Sequence, residues 1–168
     1  MMDLRYNSDL YNGETYSWFN EAFHLVKQFS TEGSYRLFPD RISLPTTISN
    51  GKQIEIAHRW NNSGWGYCPT NIPQWKNKYK VAFALLDVKD DKPEYVFVDG
   101  EPEACDWVKG TAKSYMFTTQ IKGVRAGKYM WAVGIVDTTK QNEIGIRLAV
   151  KNNVTSAGWL KLFEVSVR

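Results

Sequence analysis

The stretch KQIEIAHRWNNSGWGYCPTNIPQW, residues 52–75, holds two patterns that meet at Trp60. Up to Trp60 the chain alternates: Ile54, Ile56, His58 and Trp60 fall on one face, and Glu55, Ala57 and Arg59 on the other. A period of two is the mark of a half-buried strand. From Trp60 onward the alternation stops. Residues 60–75 hold three Trp, one Tyr, two Pro and two Gly, a mixture that no helix tolerates and that is unusually aromatic for a connection.

The strand pattern recurs along the chain. SYRLF and RISLP come first, with Pro39 expected to split them. KYKVAFALLDV, EYVFVD, KSYMFTTQI, KYMWAVGIVD, IGIRLAV and WLKLFEVSV follow, separated by the turn-forming stretches SNGK, DVKDDKP, GVRAGK and TTKQNE. About eight or nine short strands with almost no helix between them predict an all-β fold. The form expected is an antiparallel two-sheet β-sandwich of jelly-roll or Greek-key type. One helix is expected over 14–29, where Trp18, Ala22, Leu25, Val26 and Phe29 share a face. Phe19 and Phe23 form a second stripe, so this helix should bury two sides. The division expected is an N-terminal segment and helix over 1–30 and a sandwich over 31–168.

Composition narrows the function. The chain has 168 residues, 43% hydrophobic and 23% charged, as in one globular domain. Its net charge is +3, and the basic residues form no run of five or six, so no nucleic-acid footprint is indicated. No apolar run approaches the ~20 residues of a membrane-spanning helix. The opening MMDLRYNSDLYNG lacks the charged and apolar regions of a secretory signal. Both ends read as cuts in a longer chain, with any signal upstream.

Catalytic signatures are weak. There is no Gly-x-Ser-x-Gly elbow, and the histidines are His24 and His58 alone. His58 lies on a strand between Ile56 and Trp60, where it packs in the core or borders a groove. Glu55, Asp87, Asp137, Glu143 and Glu164 form no marked pair of the kind glycosidases need. No catalytic residue is assigned. The loop DGEPEACDWVKG offers Asp99, Glu101, Glu103 and Asp106 to a hard cation, but it lacks EF-hand spacing and reads better as a solvated loop. No cofactor is expected, and a structural calcium is not indicated. Two cysteines, Cys68 and Cys105, leave open whether they pair.

The aromatics carry the functional expectation. They make up 14% of the chain. Phe83, Trp131 and Phe163 read as core. Trp65, Tyr67 and Trp75 lie among Gly, Pro, Asn and Ser, where the backbone is near the surface. An exposed indole is costly unless something stacks on it. A sugar ring offers a flat C–H face, and its hydroxyls suit Asn62, Gln74 and Arg59 nearby. Trp159, after TSAG, is a reserve aromatic. The same rings would otherwise fold inward and cap the sandwich.

Four stretches taken in order resemble a known kind of domain: GSYRLFPDRISLP, GKQIEIAHRWNNSGWGYCP, DWVKG at 106–110 and GVRAGKYMWAVGIVD. Over about residues 15–168 they look like the C-terminal β-sandwich that follows glycosidase-like TIM barrels in bacterial, often secreted, proteins. The resemblance implies a non-catalytic carbohydrate-binding module, attached to an upstream glycosidase domain and working outside the cell or in the periplasm. It implies β-linked plant cell-wall polysaccharide (xylan, mannan or β-glucan) or its oligosaccharides as ligand. It also implies that the Asn62-x-Gly64 turn and Trp107 belong to the scaffold. The alternatives are an accessory domain that only packs on its barrel, or an enzyme acting on glycans by itself.

Overall fold

The computed structural model describes residues 20–168. Among these residues the helix α1 (Phe23–Glu32) is followed by nine strands. These are β1 (Leu37–Ser43), β2 (Thr47–Ile48), β3 (Gln53–Asn62), β4 (Tyr79–Asp87), β5 (Pro93–Asp99), β6 (Lys113–Gln120), β7 (Gly127–Asp137), β8 (Glu143–Ile146) and β9 (Leu160–Val167). They form two sheets. One has three strands in the order β1-β3-β6; the other has six, in the order β2-β9-β7-β4-β5 with β8 on the end of β7. All pairings are antiparallel except β2 with β9. The all-β, two-sheet expectation holds.

The core lies between the sheets. Ile54, Ile56, His58 and Trp60 point into it from β3, as the alternation predicts. Val81, Phe83 and Leu85 meet them from β4, and Trp131, Val133 and Ile135 from β7. Each such side chain stabilises the fold by about 1.5–3 kcal/mol when fully buried. β4 and β7 are buried on both faces, because Ala82, Ala84, Leu86, Ala132 and Val136 form a second cluster behind the large sheet. Trp159 belongs to that cluster and is buried. A Cβ on Gly134 would lie 2.3 Å from the Ile144 side chain and 3.3 Å from the Trp159 ring. The missing side chain on β7 is thus what lets Ile144 and Trp159 sit so close. Trp159 is therefore not the reserve ligand contact that its loop position suggested.

Two expectations are corrected. Pro39 does not split the first strand: β1 runs through it, with a register shift between Pro39 and Arg41. Proline lacks an N–H, but β1 is an edge strand, where no second neighbour needs one. The helix continues past Phe29 to Glu32 and stops at Gly33, where a Cβ would lie 2.4 Å from the Phe29 carbonyl oxygen. None of its residues is buried, so among the described residues it does not bury two sides. Trp18 and Phe19 lie outside the described residues.

Asn62 closes β3. Its Oδ1 accepts from the N–H groups of Arg36 (2.8 Å) and Gly64 (2.9 Å). Its Nδ2 donates to the carbonyls of Gly66 (2.7 Å) and Trp107 (3.0 Å). Four bonds use its full capacity and leave nothing for a ligand. This buried amide is a scaffold element and not the sugar contact expected of it. Asn62→Ala should therefore lower stability by about 3 kcal/mol, read as a lower urea midpoint at unchanged slope. Ser63→Ala, beside it on the surface, should change stability by less than about 0.5 kcal/mol.

Candidate binding surface around Trp65

The turn after β3 is forced outward. With Asn62 holding Gly64 and Gly66, the backbone of residues 63–66 lies against residues 34–36. A Cβ on Gly64 would come within 1.7 Å of the Ser34 carbonyl oxygen. The turn cannot move inward, and Trp65 projects from it with 65% of its surface exposed.

The ring is exposed but held. The Trp65 N–H donates to the Glu32 carbonyl at 2.6 Å, at the end of α1. Its indole N–H donates to the Glu32 carboxylate. Lys109 also pairs with Glu32, and its ammonium lies 4.3 Å from the centre of the Trp65 ring. A cation at that distance is attracted to the ring's π-face. The Lys109 hydrogen bond, followed by that of the indole, holds the Glu32 carboxyl below its ordinary value of 4.5. The ring also borders a concavity of about 310 Å³ with Leu25, Gln28, Phe29 and Gly33.

The remaining candidates are dispersed. Tyr67 is 52% exposed and continues the aromatic surface along the chain. Trp75 is half-buried and meets Tyr79 edge-on at 5.1 Å, so it serves partly as a cap on the core. Gln74 is exposed. Arg59 lies on the outer face of β3, where it donates to Asp40 from Nε (2.8 Å) and Nη2 (2.7 Å). Glu32, Lys109 and the helix residues, which complete the Trp65 surface, carry no local signal in the sequence. Their contacts with Trp65 and with each other span 33 and 77 positions.

His58 sits in the core. The Trp60 indole N–H donates to its Nδ1 at 2.8 Å, so the ring proton is on Nε2, which donates to Asp99 at 2.9 Å. Both ring nitrogens are engaged. Trp60 stacks on Trp107 at 4.7 Å, and the Trp107 indole N–H donates to the Tyr115 hydroxyl at 2.9 Å. Tyr115 in turn stacks on His58 at 5.5 Å. Burial raises the Tyr115 hydroxyl above its ordinary range.

Two carboxylates of the acidic loop, Asp99 and Glu103, are engaged in structure. Asp99 also accepts from the Glu101 N–H, and Glu103 pairs with Lys80. Among the described residues no three His, Cys, Asp or Glu side chains converge as a metal site. Cys68 and Cys105 are free thiols, and burial pushes the Cys68 thiol up to about 12. The Cys105 N–H donates to the Thr70 hydroxyl at 3.1 Å, which brings this loop against the turn region.

No family model matches the chain, and no curated protein matches it in sequence. Among solved structures it is similar to a Niemann-Pick type C2 protein from Japanese carpenter ant, at 10% identity and a TM-score of 0.47. That match covers 81% of this chain and 96% of the other. It is also similar to a CARDB domain from Pyrococcus furiosus solved in complex with di-metal ions, at 15% identity and a TM-score of 0.42. There the shares are 80% and 94%. A β-glucosidase from Listeria innocua in complex with glucose matches at 16% identity and a TM-score of 0.39, over 80% of this chain and 16% of that one. These are distant likenesses, and no activity is carried over from them.

The Glu32 contact has a pH signature. A depressed carboxyl contributes fully above its unfolded value and is lost as pH falls through its lower folded value. Trp65 fluorescence, taken as wild type minus Trp65→Phe, should be flat from about pH 8 to 5 and change below 4.5. Glu32→Gln should abolish that transition. A transition that survives in Glu32→Gln would show that another group holds the ring.

Proposed function

We propose that the chain is a non-catalytic carbohydrate-binding module that stacks a sugar ring on Trp65. The observation that carries this is an indole largely open to solvent yet fixed by Glu32 and Lys109. A ring already held in one pose loses little freedom when a ligand arrives. Glu32, Lys109 and Gln28 set hydrogen-bonding groups around it, and sugar hydroxyls need such groups. Tyr67, Gln74 and part of Trp75 extend the surface. The ligand class proposed is β-linked plant cell-wall polysaccharide of xylan, mannan or β-glucan type. The setting proposed is a glycoside hydrolase of the same chain, acting outside the cell or in the periplasm, where tethering raises the enzyme's local concentration at its substrate.

A specific observation favours a second reading. Phe23 and Leu25 are 60% and 47% exposed on the helix whose later residues border Trp65. Such an apolar strip suits packing against a neighbouring domain. An enzyme reading has less support, since a histidine with both nitrogens engaged cannot serve as a base without breaking its core contacts. For the topology we favour the Greek-key form over the jelly roll. The crossovers that set β1-β3-β6 in one sheet and β9-β7-β4-β5 in the other support that reading.

Affinity gel electrophoresis tests the function. Xylan, glucomannan, galactomannan, barley β-glucan and hydroxyethyl cellulose are run against wild type, Trp65→Ala and Tyr67→Ala. Retardation by at least one polymer is expected, weakened on the order of tenfold by Trp65→Ala and less by Tyr67→Ala. No retardation by any polymer would transfer the Trp65 surface to the domain-packing reading.

A further inference from the structure

The outer face of the three-stranded sheet holds a second concavity, of about 500 Å³. Its shape follows from register. Arg41, Arg59 and Ser114 lie opposite one another across β1, β3 and β6; in the next row out, Ser43, Ala57 and Met116 do. Small side chains at Ala57 and Ser114 leave a floor between the arginines and Met116, and Glu101 stands on the rim.

Two features of this face do not suit a bare solvated sheet. Directly opposed like charges destabilise a strand pair, yet Arg41 faces Arg59. The Asp40 carboxylate gives both oxygens to Arg59. Arg41 has no hydrogen-bond or ion-pair partner among the described residues. The second feature is Met116, a large apolar side chain 56% exposed on a strand whose other outward positions are Ser114, Thr118 and Gln120. A guanidinium with no hydrogen-bond partner among the described residues, beside a small apolar floor, is chemistry matched to a ring that carries a carboxylate.

We propose that this groove is a second subsite, for an acidic sugar residue of the uronic acid class. This rests on the reading of the chain as a glycan-binding module. The planar guanidinium of Arg41 takes the sugar carboxylate through two parallel N–H bonds. Ala57 and Met116 meet the apolar face of the ring. Glu101 and Ser114 accept from its hydroxyls, and the Glu101 charge repels a second carboxylate nearby. The groove therefore suits a polymer with isolated uronate groups, such as a xylan with glucuronate branches, better than a continuous polyuronate.

Affinity electrophoresis with neutral xylan, glucuronate-substituted xylan, polygalacturonate and dextran sulfate tests this, using wild type, Arg41→Ala, Arg41→Lys and Trp65→Ala. Circular dichroism checks that each variant is folded. Wild type should bind the substituted xylan on the order of tenfold tighter than the neutral one. Arg41→Ala should bring the two together without weakening the neutral polymer. Arg41→Lys should restore only part of the preference, and Trp65→Ala should weaken both xylans. Four results would overturn the acidic-sugar subsite while leaving the module reading in place: equal binding of the two xylans by wild type, an unchanged preference in Arg41→Ala, polygalacturonate binding tighter than the substituted xylan, or equally tight binding of dextran sulfate. Failure of every polymer to bind would overturn both.

Discussion

The amide of Asn62 ties together the approach to β1, the turn after β3 and the β5–β6 connection. All four of its hydrogen-bonding positions are used inside the protein. Their partners are backbone groups, which would otherwise be costly to bury. The arrangement leaves the turn no freedom to collapse, since Gly64 already lies against the Ser34 carbonyl. Trp65 is exposed because the backbone beneath it is pinned, and not because the ring lacks apolar surface to meet.

Beneath this hub lies a polar thread through an apolar core. Asp99, His58 and Trp60 are joined by hydrogen bonds, and Trp60, Trp107, Tyr115 and His58 by ring stacking and one further bond. Every polar atom placed in the core this way has a partner, as burial demands. The chain satisfies it with residues from β3, β6, the end of β5 and the β5–β6 connection, so the thread also fixes how that connection docks. Two acidic residues, Asp99 and Glu103, are engaged by this task and by Lys80.

The surface presents two separate kinds of chemistry. Around Trp65, an aromatic face meets a carboxylate, an ammonium and an apolar helix. On the outside of the small sheet, two guanidiniums lie side by side above a floor of small side chains, and the Asp40 carboxylate pairs with Arg59 alone. The first surface is built by a turn and a helix end, the second by strand register. Each is therefore open to substitution without disturbing the core or the other surface.

The amino-acid sequence alone is enough to place the strands, because alternation at residues 53–60 and apolar runs such as those of β4 and β7 are local patterns with one physical meaning. It determined the two-sheet class for the same reason, and it marked Trp65 and Tyr67 as rings on a connection. Its residue pattern marked Asn62 and Trp159 as ligand contacts on turns, although the family resemblance placed the Asn62-x-Gly64 turn in the scaffold. Their burial depends on what lies across from them: the Trp107 carbonyl for one, Gly134 and Ile144 for the other. It gave no sign of Glu32 and Lys109 beside Trp65, nor of Asp99 beside His58. These contacts join residues 33 to 77 positions apart, and no periodicity records which distant side chains the sheets will bring together. They arise when the chain folds, because a side chain's role at a site depends on neighbours that register and loop docking supply.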